Sequence, residues 1–277
     1  MQIVGLDWAV KPSDRAAVVL SAHAGALAVE NVVSPVTNET AIELSTAEEN
    51  DIVAVDIPFA WPRKFATFVA NWSASGAACD PPPASDQFRY RQTDRFVHEK
   101  TSKWPLSVST NLFSLGAREW ATTVHERNLS RQIVVGETDA SRVGNPQIIE
   151  VYPGATLKIF ESDASLDIRG TSTRVREADG EEKKYSYKSD ELTRRNLVNA
   201  VVNSFEIRVD DDSLNEIVST GKKDHATDGL LAALSGLIYA GSMEGWGTWF
   251  PNESQIDDAR TEGWIFFPKK NEPNSAR

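Results

Sequence analysis

The sequence is poor in cysteine, histidine and net positive charge. Of its 277 residues, one is cysteine and four are histidine, and the formal net charge is −11. A single cysteine excludes an internal disulfide and favours a reducing compartment, so we expect a cytoplasmic protein. The acidic excess argues against a generally basic surface for nucleic acid or lipid, but it leaves room for a local basic groove or a bound cation.

The chain also lacks long apolar runs. No stretch approaches the roughly 18 apolar residues that a membrane-spanning helix needs. The first ten residues, MQIVGLDWAV, have neither a positive start nor an apolar core long enough for a signal peptide. We therefore expect no membrane partner. Because 40% of the residues are hydrophobic, the chain can build one large domain, residues 1–277.

Apolar runs in the first fifth of the chain predict three strands, a helix and a fourth strand. These elements are residues 2–7, 15–22, 26–34, 38–50 and 51–56. The short connections make the first three strands antiparallel. A strand that is reached through a helix is expected to run parallel to an earlier strand of the same sheet.

The rest of the chain predicts one more buried strand, three helices and a last edge strand. These are residues 146–153, then 154–162, 192–205 and 224–241, then 263–268. Two polar stretches, about 63–146 and about 165–190, are predicted as insertions, the second as an exposed loop or hairpin. The order predicts an α/β fold with a ribonuclease H-like mixed sheet, three antiparallel strands and then parallel strands, flanked by helices. An actin-like phosphotransferase half shares this order, so the fold alone does not decide the function.

Carboxylates end or interrupt three of the predicted buried strands. Asp7 and Asp56 each close an apolar run, and Glu150 lies within another. A charge is costly to bury in a core, so these positions indicate a site. Each residue also has a structural alternative, since Asp7 and Asp56 are suited to cap turns and Glu150 to pair with an arginine.

The helix predicted at 224–241 begins with three more ligand-type side chains. Asp224 and Asp228 are four residues apart, and His225 and Asp228 are three apart, so each pair shares one helix face. Structural alternatives are a helix N-cap for Asp224 and a solvated position for Asp228. If this helix covers the strand ends, the oxygen-rich cluster selects Mg²⁺ or Mn²⁺ rather than zinc.

Two such ions, roughly 4 Å apart, can generate hydroxide and stabilise the leaving oxygen in phosphodiester cleavage. The predicted catalytic residues are Asp7, Asp56, Glu150, His225 and Asp228. The predicted metal ligands are Asp7, which bridges both ions, Asp56, Glu150, Asp224 and Asp228. His225 is expected to act as a ligand or as a proton acceptor.

At these residues the sequence resembles a known but uncharacterised family of predicted nucleases of the ribonuclease H fold, the domain of unknown function 429. The similar segments are IVGLDWA, VAVDIPFAWP, IIEVYPGA, DHATDGLLAAL and the R-x-x-D-R of Arg91, Asp94 and Arg95. DHATDG also resembles the RuvC-type helix motif His-His-Ala-His-Asp-Ala. That resemblance implies catalytic roles for His225, Asp228 and Asp7. Asp56 stands where RuvC-type enzymes usually carry Glu, and Gly229 stands where Ala is usual.

A nuclease also needs cations for phosphates. The predicted substrate-binding residues are Arg89, Arg91, Arg95 and Lys103. Aromatic residues interleave with them, at Phe88, Tyr90, Phe96 and Trp104, and are of the kind that stacks on single-stranded bases. The alternative for residues 86–103 is an amphipathic helix with Phe88 and Phe96 in the core. A second basic stretch, 169–195, reads as a solvated loop.

The sequence therefore predicts a metal-dependent nuclease that hydrolyses phosphodiester bonds of nucleic acid with Mg²⁺ or Mn²⁺. Two alternatives remain open. One is a non-catalytic module that binds a metal or nucleic acid. The other is an actin-fold phosphotransferase acting on a small metabolite, which usually needs glycine-rich phosphate loops, and GLDWAV has no second glycine.

Overall fold

The computed structural model describes most of the chain. The described residues are 1–72, 83–109, 111–136, 146–163, 166, 168, 172–176, 182–219 and 224–271. Cys79 and Arg169 lie outside them, as does the first half of the proline-rich stretch 79–86. No helix within the described part of the chain combines the length and apolar character needed to cross a bilayer.

Strands and helices occur throughout the described residues. The strands are β1 (Gln2–Asp7), β2 (Ala16–His23), β3 (Ala26–Val33), β4 (Ile52–Asp56), β5 (Ile133–Val134), β6 (Gln147–Val151), β7 (Ser172–Arg176), β8 (Glu182–Ser186), β9 (Ile207–Arg208), β10 (Trp246–Thr248), β11 (Ile265–Phe266) and β12 (Pro268–Lys270). The helices are α1 (Asn38–Thr46), α2 (Arg63–Asn71), α3 (Ser85–Arg89), α4 (Gln92–Thr101), α5 (Asn111–Glu126), α6 (Pro153–Ser162), α7 (Glu191–Ser204), α8 (Asp211–Ser219), α9 (His225–Tyr239) and α10 (Ile256–Glu262).

The central sheet has the order β11-β6-β4-β1-β2-β3-β9, and β5 pairs with β6. β2 is antiparallel to both β1 and β3. β4 is parallel to β1, and β6 is parallel to β4. This confirms the predicted mixed sheet, with three antiparallel strands followed by parallel ones. The predicted strand at 263–268 is β11, next to β6 at the sheet edge.

Apolar side chains alternate between the two faces of the sheet and build a core on each. On the first face, Ile3, Val18 and Ala54 pack with α9 residues such as Leu230. The second face carries Val4, Leu6 and Val55, which pack with Ala41 of α1 and Trp120 of α5. β1, β4 and β6 are buried on both sides, which explains their continuous apolar sequences.

Two stretches contain more structure than the sequence indicated. Residues 63–146, predicted as an insertion, include α2, α3, α4, α5 and the short β5. The stretch about 165–190 includes the antiparallel hairpin β7–β8, one of its two predicted forms. Residues 86–103, for which an amphipathic helix was the alternative, form parts of two helices, α3 and α4, that are separated at Tyr90 and Arg91.

Candidate active site

Asp7 and Asp56 lie side by side at the carboxyl ends of neighbouring parallel strands. The register of β1 and β4 pairs Gly5 with Ala54 and Asp7 with Asp56. Residues paired in this way point to the same face of the sheet, here the face that α9 covers. The sequence prediction that these two strand ends meet is therefore met by the geometry.

Helix α9 approaches this face at Gly5. A Cβ on Gly5 would lie 2.0 Å from the carbonyl oxygen of Gly229 and 2.3 Å from the backbone nitrogen of Ala233. His225, one helical turn before Gly229, consequently lies over Asp7, which is two residues after Gly5. The His225 Nδ1 to Asp7 Oδ2 distance is 2.5 Å. His225 thus holds one oxygen of Asp7, and Asp56 lies beside Asp7 in the register of the two strands.

The start of α9 contacts a lysine from the loop after β8. Lys188 Nζ lies 2.9 Å from Asp224 Oδ2 and 3.0 Å from Asp228 Oδ2. The hydroxyl of Tyr187 donates to Asp228 Oδ1 at 3.0 Å. Both oxygens of Asp228 are therefore bound by protein groups. Asp224 occupies the N-cap position of α9, but its side chain makes no capping hydrogen bond.

Asp56 is in the opposite situation. Among the described residues, no hydrogen bond or ion pair reaches its carboxylate. Burial raises the pKa of Asp56 well above its usual range, and the charges of Asp7 and Asp228 raise it further. A positive charge beside this carboxylate would lower its pKa and favour the ionised form.

The two other acids show the same tendency to a smaller degree. Burial raises the pKa of Asp7, an effect that the bond to His225 partly opposes. Burial raises the pKa of Asp228 to about 7, against the opposing charge of Lys188. For Lys188 itself, burial would lower the pKa, but the charges of Asp228 and Asp224 keep it above the usual range. Lys188 is therefore cationic at neutral pH.

One cleft of about 470 Å³ is lined by the four acids Asp7, Asp56, Asp224 and Asp228 together with His225 and Lys188. Its other lining residues are mainly apolar, and they include Trp8, Trp104, Leu106, Phe113 and Tyr152. Lys103 also lines the cleft, with its Nζ 5.8 Å from the centroid of the Tyr152 ring. The cleft is thus an acidic centre with two lysines at its border and an apolar wall.

Glu150 differs from the prediction that it joins Asp7 and Asp56. The register pairs Glu150 with Val55, whose side chain belongs to the core on the second face. The alternation of a strand therefore turns Glu150 away from α9, although it borders the cleft. Its carboxylate accepts bonds from Arg91 Nη2 at 2.6 Å and from Arg91 Nη1 at 2.9 Å. This is the arginine pairing that the sequence left open as the alternative.

Arg91, predicted to bind substrate, is only 1% exposed. Besides Glu150, its guanidinium binds Asp94 through Nε at 3.2 Å and Nη2 at 2.8 Å, and the backbone oxygen of Glu262 through Nη1 at 3.1 Å. All five N–H groups are used, so none is left for a phosphate. Glu150 also accepts from the backbone N–H of Phe59 at 3.0 Å. This network fixes the loop that follows Asp56.

The other predicted substrate residues separate into two groups. Lys103 lines the cleft, as described above. Arg89 and Arg95 are not among the described residues that line the cleft. Arg95 donates to the backbone oxygen of Tyr90 at 2.8 Å and to the side-chain oxygen of Gln92 at 2.9 Å.

The aromatic residues expected to stack on bases already have partners. Trp104 stacks on Tyr90 at a centroid distance of 4.2 Å and on His98 at 3.9 Å. Phe88 packs on Phe65 at 4.9 Å. Phe96 packs on Trp264 at 5.3 Å and against the core, in agreement with the amphipathic alternative. That alternative also placed Phe88 in the core, but Phe88 packs on Phe65 and Phe68 outside the described core clusters.

Sequence reasoning missed Lys188 and Tyr187. It placed Lys188 in a polar stretch, 169–195, as one of several solvated cations. Nothing in the local pattern sets Lys188 apart, since its partner Asp228 is 40 residues away. The one available signal was charge balance, because a cluster of buried acids requires a cation.

The arrangement of acids can be compared with the needs of a divalent ion. Within the described residues, no group of three or more His, Cys, Asp or Glu side chains is arranged to hold a metal ion. Mg²⁺ is commonly bound through one or two carboxylates, while water and substrate phosphates fill its other positions. Asp7 and Asp56 form such a pair, and the unpartnered oxygens of Asp56 fit a hard cation.

Fold and cleft together define an α/β protein with a mixed sheet and a carboxylate site at the ends of its central parallel strands. The chain belongs to the family described as Protein of unknown function (DUF429), whose model matches residues 5–255. No curated protein and no solved structure matches it. The predicted family membership is confirmed, and the matched range includes Asp7, Asp56 and Asp228.

Proposed function

We propose that this protein is a nuclease that hydrolyses phosphodiester bonds with Mg²⁺ or Mn²⁺ bound at Asp7 and Asp56. One observation carries the proposal: two carboxylates lie in register on adjacent parallel strands, and one of them has no partner among the described residues. Two adjacent buried carboxylates repel each other, so their pKa values rise unless a cation is bound. A hard divalent ion resolves that conflict and suits all-oxygen ligation.

Each side chain of the cleft has a role in this proposal. Asp7 and Asp56 hold the ion, and His225 orients Asp7 through the bond to Nδ1. Lys103 lies beside Gly154 at the amino end of α6, where its positive charge favours a phosphate. When bound, Mg²⁺ or Mn²⁺ supplies Lewis-acid stabilisation of phosphate oxygens and lowers the pKa of a water molecule.

The architecture supports the same proposal. The strand order β3-β2-β1-β4-β6, antiparallel and then parallel, is the order expected for a ribonuclease H-like sheet. The resemblance of DHATDG to the RuvC-type helix motif agrees with His225 over Asp7. Because folds of this kind serve several activities, the site and not the sheet carries the functional argument.

The test is cleavage by the purified full chain with Mn²⁺ or Mg²⁺, on single-stranded, duplex and branched DNA and RNA. We expect the wild type to cleave, and Asp7→Asn to cleave at least about 100-fold more slowly. The reason is that a bound metal ion stabilises the transition state by several kcal/mol, and each loss of about 1.4 kcal/mol lowers the rate about tenfold. The matched control is Asp257→Asn, because the Asp257 side chain is 86% exposed and does not line the cleft. This control should cleave like the wild type.

Two other results would contradict the proposal. A chain that Mn²⁺ stabilises against heat but that cleaves no substrate would be a non-catalytic metal-binding module. Thermal stabilisation by ATP, without nuclease activity, would indicate the phosphotransferase alternative.

A further inference from the structure

The two ends of the acidic cleft differ in how their charge is balanced. At Asp224 and Asp228, the Lys188 ammonium is within 3.0 Å of both carboxylates. At the other end, His225 contacts Asp7. The Asp56 carboxylate has no positively charged partner among the described residues. One half of the cleft therefore contains a lysine ammonium shared by two carboxylates, whereas the Asp56 carboxylate in the other half has no cationic partner among the described residues.

The position of Lys188 is built into the fold. Its neighbour Tyr187 is 5% exposed, belongs to the core and donates a hydrogen bond to Asp228 Oδ1 at 3.0 Å. The carbonyl oxygen of Tyr187 accepts from Arg194 Nη1 at 2.8 Å, which ties the loop to α7. The backbone and the side chain of Tyr187 are thus both held by hydrogen bonds. Lys188, the next residue, therefore lies at the start of α9.

We infer that Lys188 takes the place of one of the two metal ions, so that the cleft binds a single divalent cation at Asp7 and Asp56. This inference rests on the proposed function, because that proposal supplies the ion at Asp7 and Asp56. It differs from the two-ion arrangement that the sequence predicted. Asp224 and Asp228 then serve as partners of Lys188 rather than as metal ligands.

Hydrogen bonding and charge both favour this assignment. The two oxygens of Asp228 are occupied by Tyr187 and Lys188, so a metal ion could bind there only by displacing one of them. A divalent ion at that end would also face the Lys188 charge at short range, and like charges repel most strongly where water is partly excluded. At Asp56 no protein group has to be displaced.

The number of bound ions tests the inference directly. Mn²⁺ binding to the full chain is measured by titration calorimetry, and free Mn²⁺ is counted by electron paramagnetic resonance. We expect one ion per chain for the wild type and for Lys188→Arg, which keeps the charge. Lys188→Met and Lys188→Gln should each bind two, since removal of the ammonium leaves Asp224 and Asp228 to a second ion.

The matched control is Lys158→Met. Lys158 is also about half exposed and pairs with an acid, Glu161, at 3.1 Å, but it lies on α6 outside the cleft. This variant should bind one ion, like the wild type. Thermal melts of all variants establish that they are folded before ions are counted.

The outcomes separate this inference from the proposed function. Two ions in the wild type, or one ion in both uncharged Lys188 variants, overturns the inference and leaves the metal-dependent function standing. A wild type that binds no Mn²⁺ overturns the proposed function, and the inference falls with it.

Discussion

At the scale of single residues, chemically identical groups have different roles because their partners differ. Asp228 is bound by Tyr187 and Lys188, whereas Asp56 has no partner among the described residues. Two arginines of one short segment differ in the same way. Arg91 is 1% exposed and fully bonded, whereas Arg89 lies over the Tyr90 ring at 5.1 Å. Residue type alone does not distinguish these cases.

The Arg91 network predicts a large effect on stability. Arg91→Ala should reduce the free energy of unfolding by about 3–5 kcal/mol, because it leaves the buried carboxylates of Glu150 and Asp94 without their cation. The measurement is urea unfolding followed by tryptophan fluorescence. Arg118→Ala is the control, since the Arg118 side chain is 66% exposed and its ion pair with Glu119 should contribute less than about 1 kcal/mol.

A different result would return Arg91 to the role that the sequence predicted for it. If Arg91→Ala keeps the stability of the wild type but loses affinity for nucleic acid, the guanidinium is a substrate contact and not a structural centre.

At the scale of elements, the site depends on how closely α9 approaches β1. The contact is made by backbone, since Gly5 lies against Gly229 and Ala233. This contact sets the distance between His225 on the helix and Asp7 on the strand. Two glycines, Gly5 and Gly229, therefore help to set the geometry of the cleft.

We expect the two glycines to respond differently to alanine. Gly5→Ala places a Cβ 2.0 Å from a backbone oxygen, so helix and sheet must separate, at a cost of about 3 kcal/mol or more. Gly229→Ala meets its nearest atom, Gly5 O, at 3.3 Å and gains about 1 kcal/mol of helix propensity, so its stability should change by less than about 1 kcal/mol.

Thermal melts and Mn²⁺ titrations of both variants test this prediction. Gly5→Ala should lose Mn²⁺ affinity together with stability, because Asp7 loses its position under His225. Equal stability of the two variants would show that the sheet and the helix adjust to a methyl group at either position.

At the scale of the whole molecule, the cleft makes stability depend on pH. Asp228 has a pKa of about 7 in the folded chain and an ordinary value of 3.8, and the pKa of Asp56 is also raised. A carboxyl with a raised pKa binds its proton more tightly in the folded state. Its contribution to stability is thus present at low pH and lost as pH increases through this range.

Without divalent ions, the melting temperature of the wild type should therefore decrease as the pH increases from about 4 to about 7. The decrease should be smaller for Asp56→Asn, which lacks one of the titrating carboxyls. Saturating Mn²⁺ at pH 8 should raise the melting temperature of the wild type and have little effect on Asp56→Asn. Melts in EDTA and in Mn²⁺ across this range measure both effects. Identical pH profiles of wild type and Asp56→Asn would show that Asp56 titrates normally and needs no cation.

Much of the sheet could be predicted because its signals are local. Continuous apolar runs marked β1, β4 and β6, and helical spacing marked α7 and α9. The helices α2 and α5 were not predicted from sequence, and α3 and α4 were predicted only as one amphipathic helix, the alternative for residues 86–103. Their apolar side chains pack partly on each other, as Phe65 does on Phe88.

The sequence by itself determined that acids stand at the ends of buried strands and at the start of an apolar helix, since each of these patterns lies within a few residues. Only the tertiary structure decided which acids meet. The register of β4 and β6 turns Glu150 to the face opposite Asp7, and a loop 40 residues from Asp228 brings in Lys188. Strand register and long-range ion pairs depend on the packing of the whole chain, so no local pattern contains them.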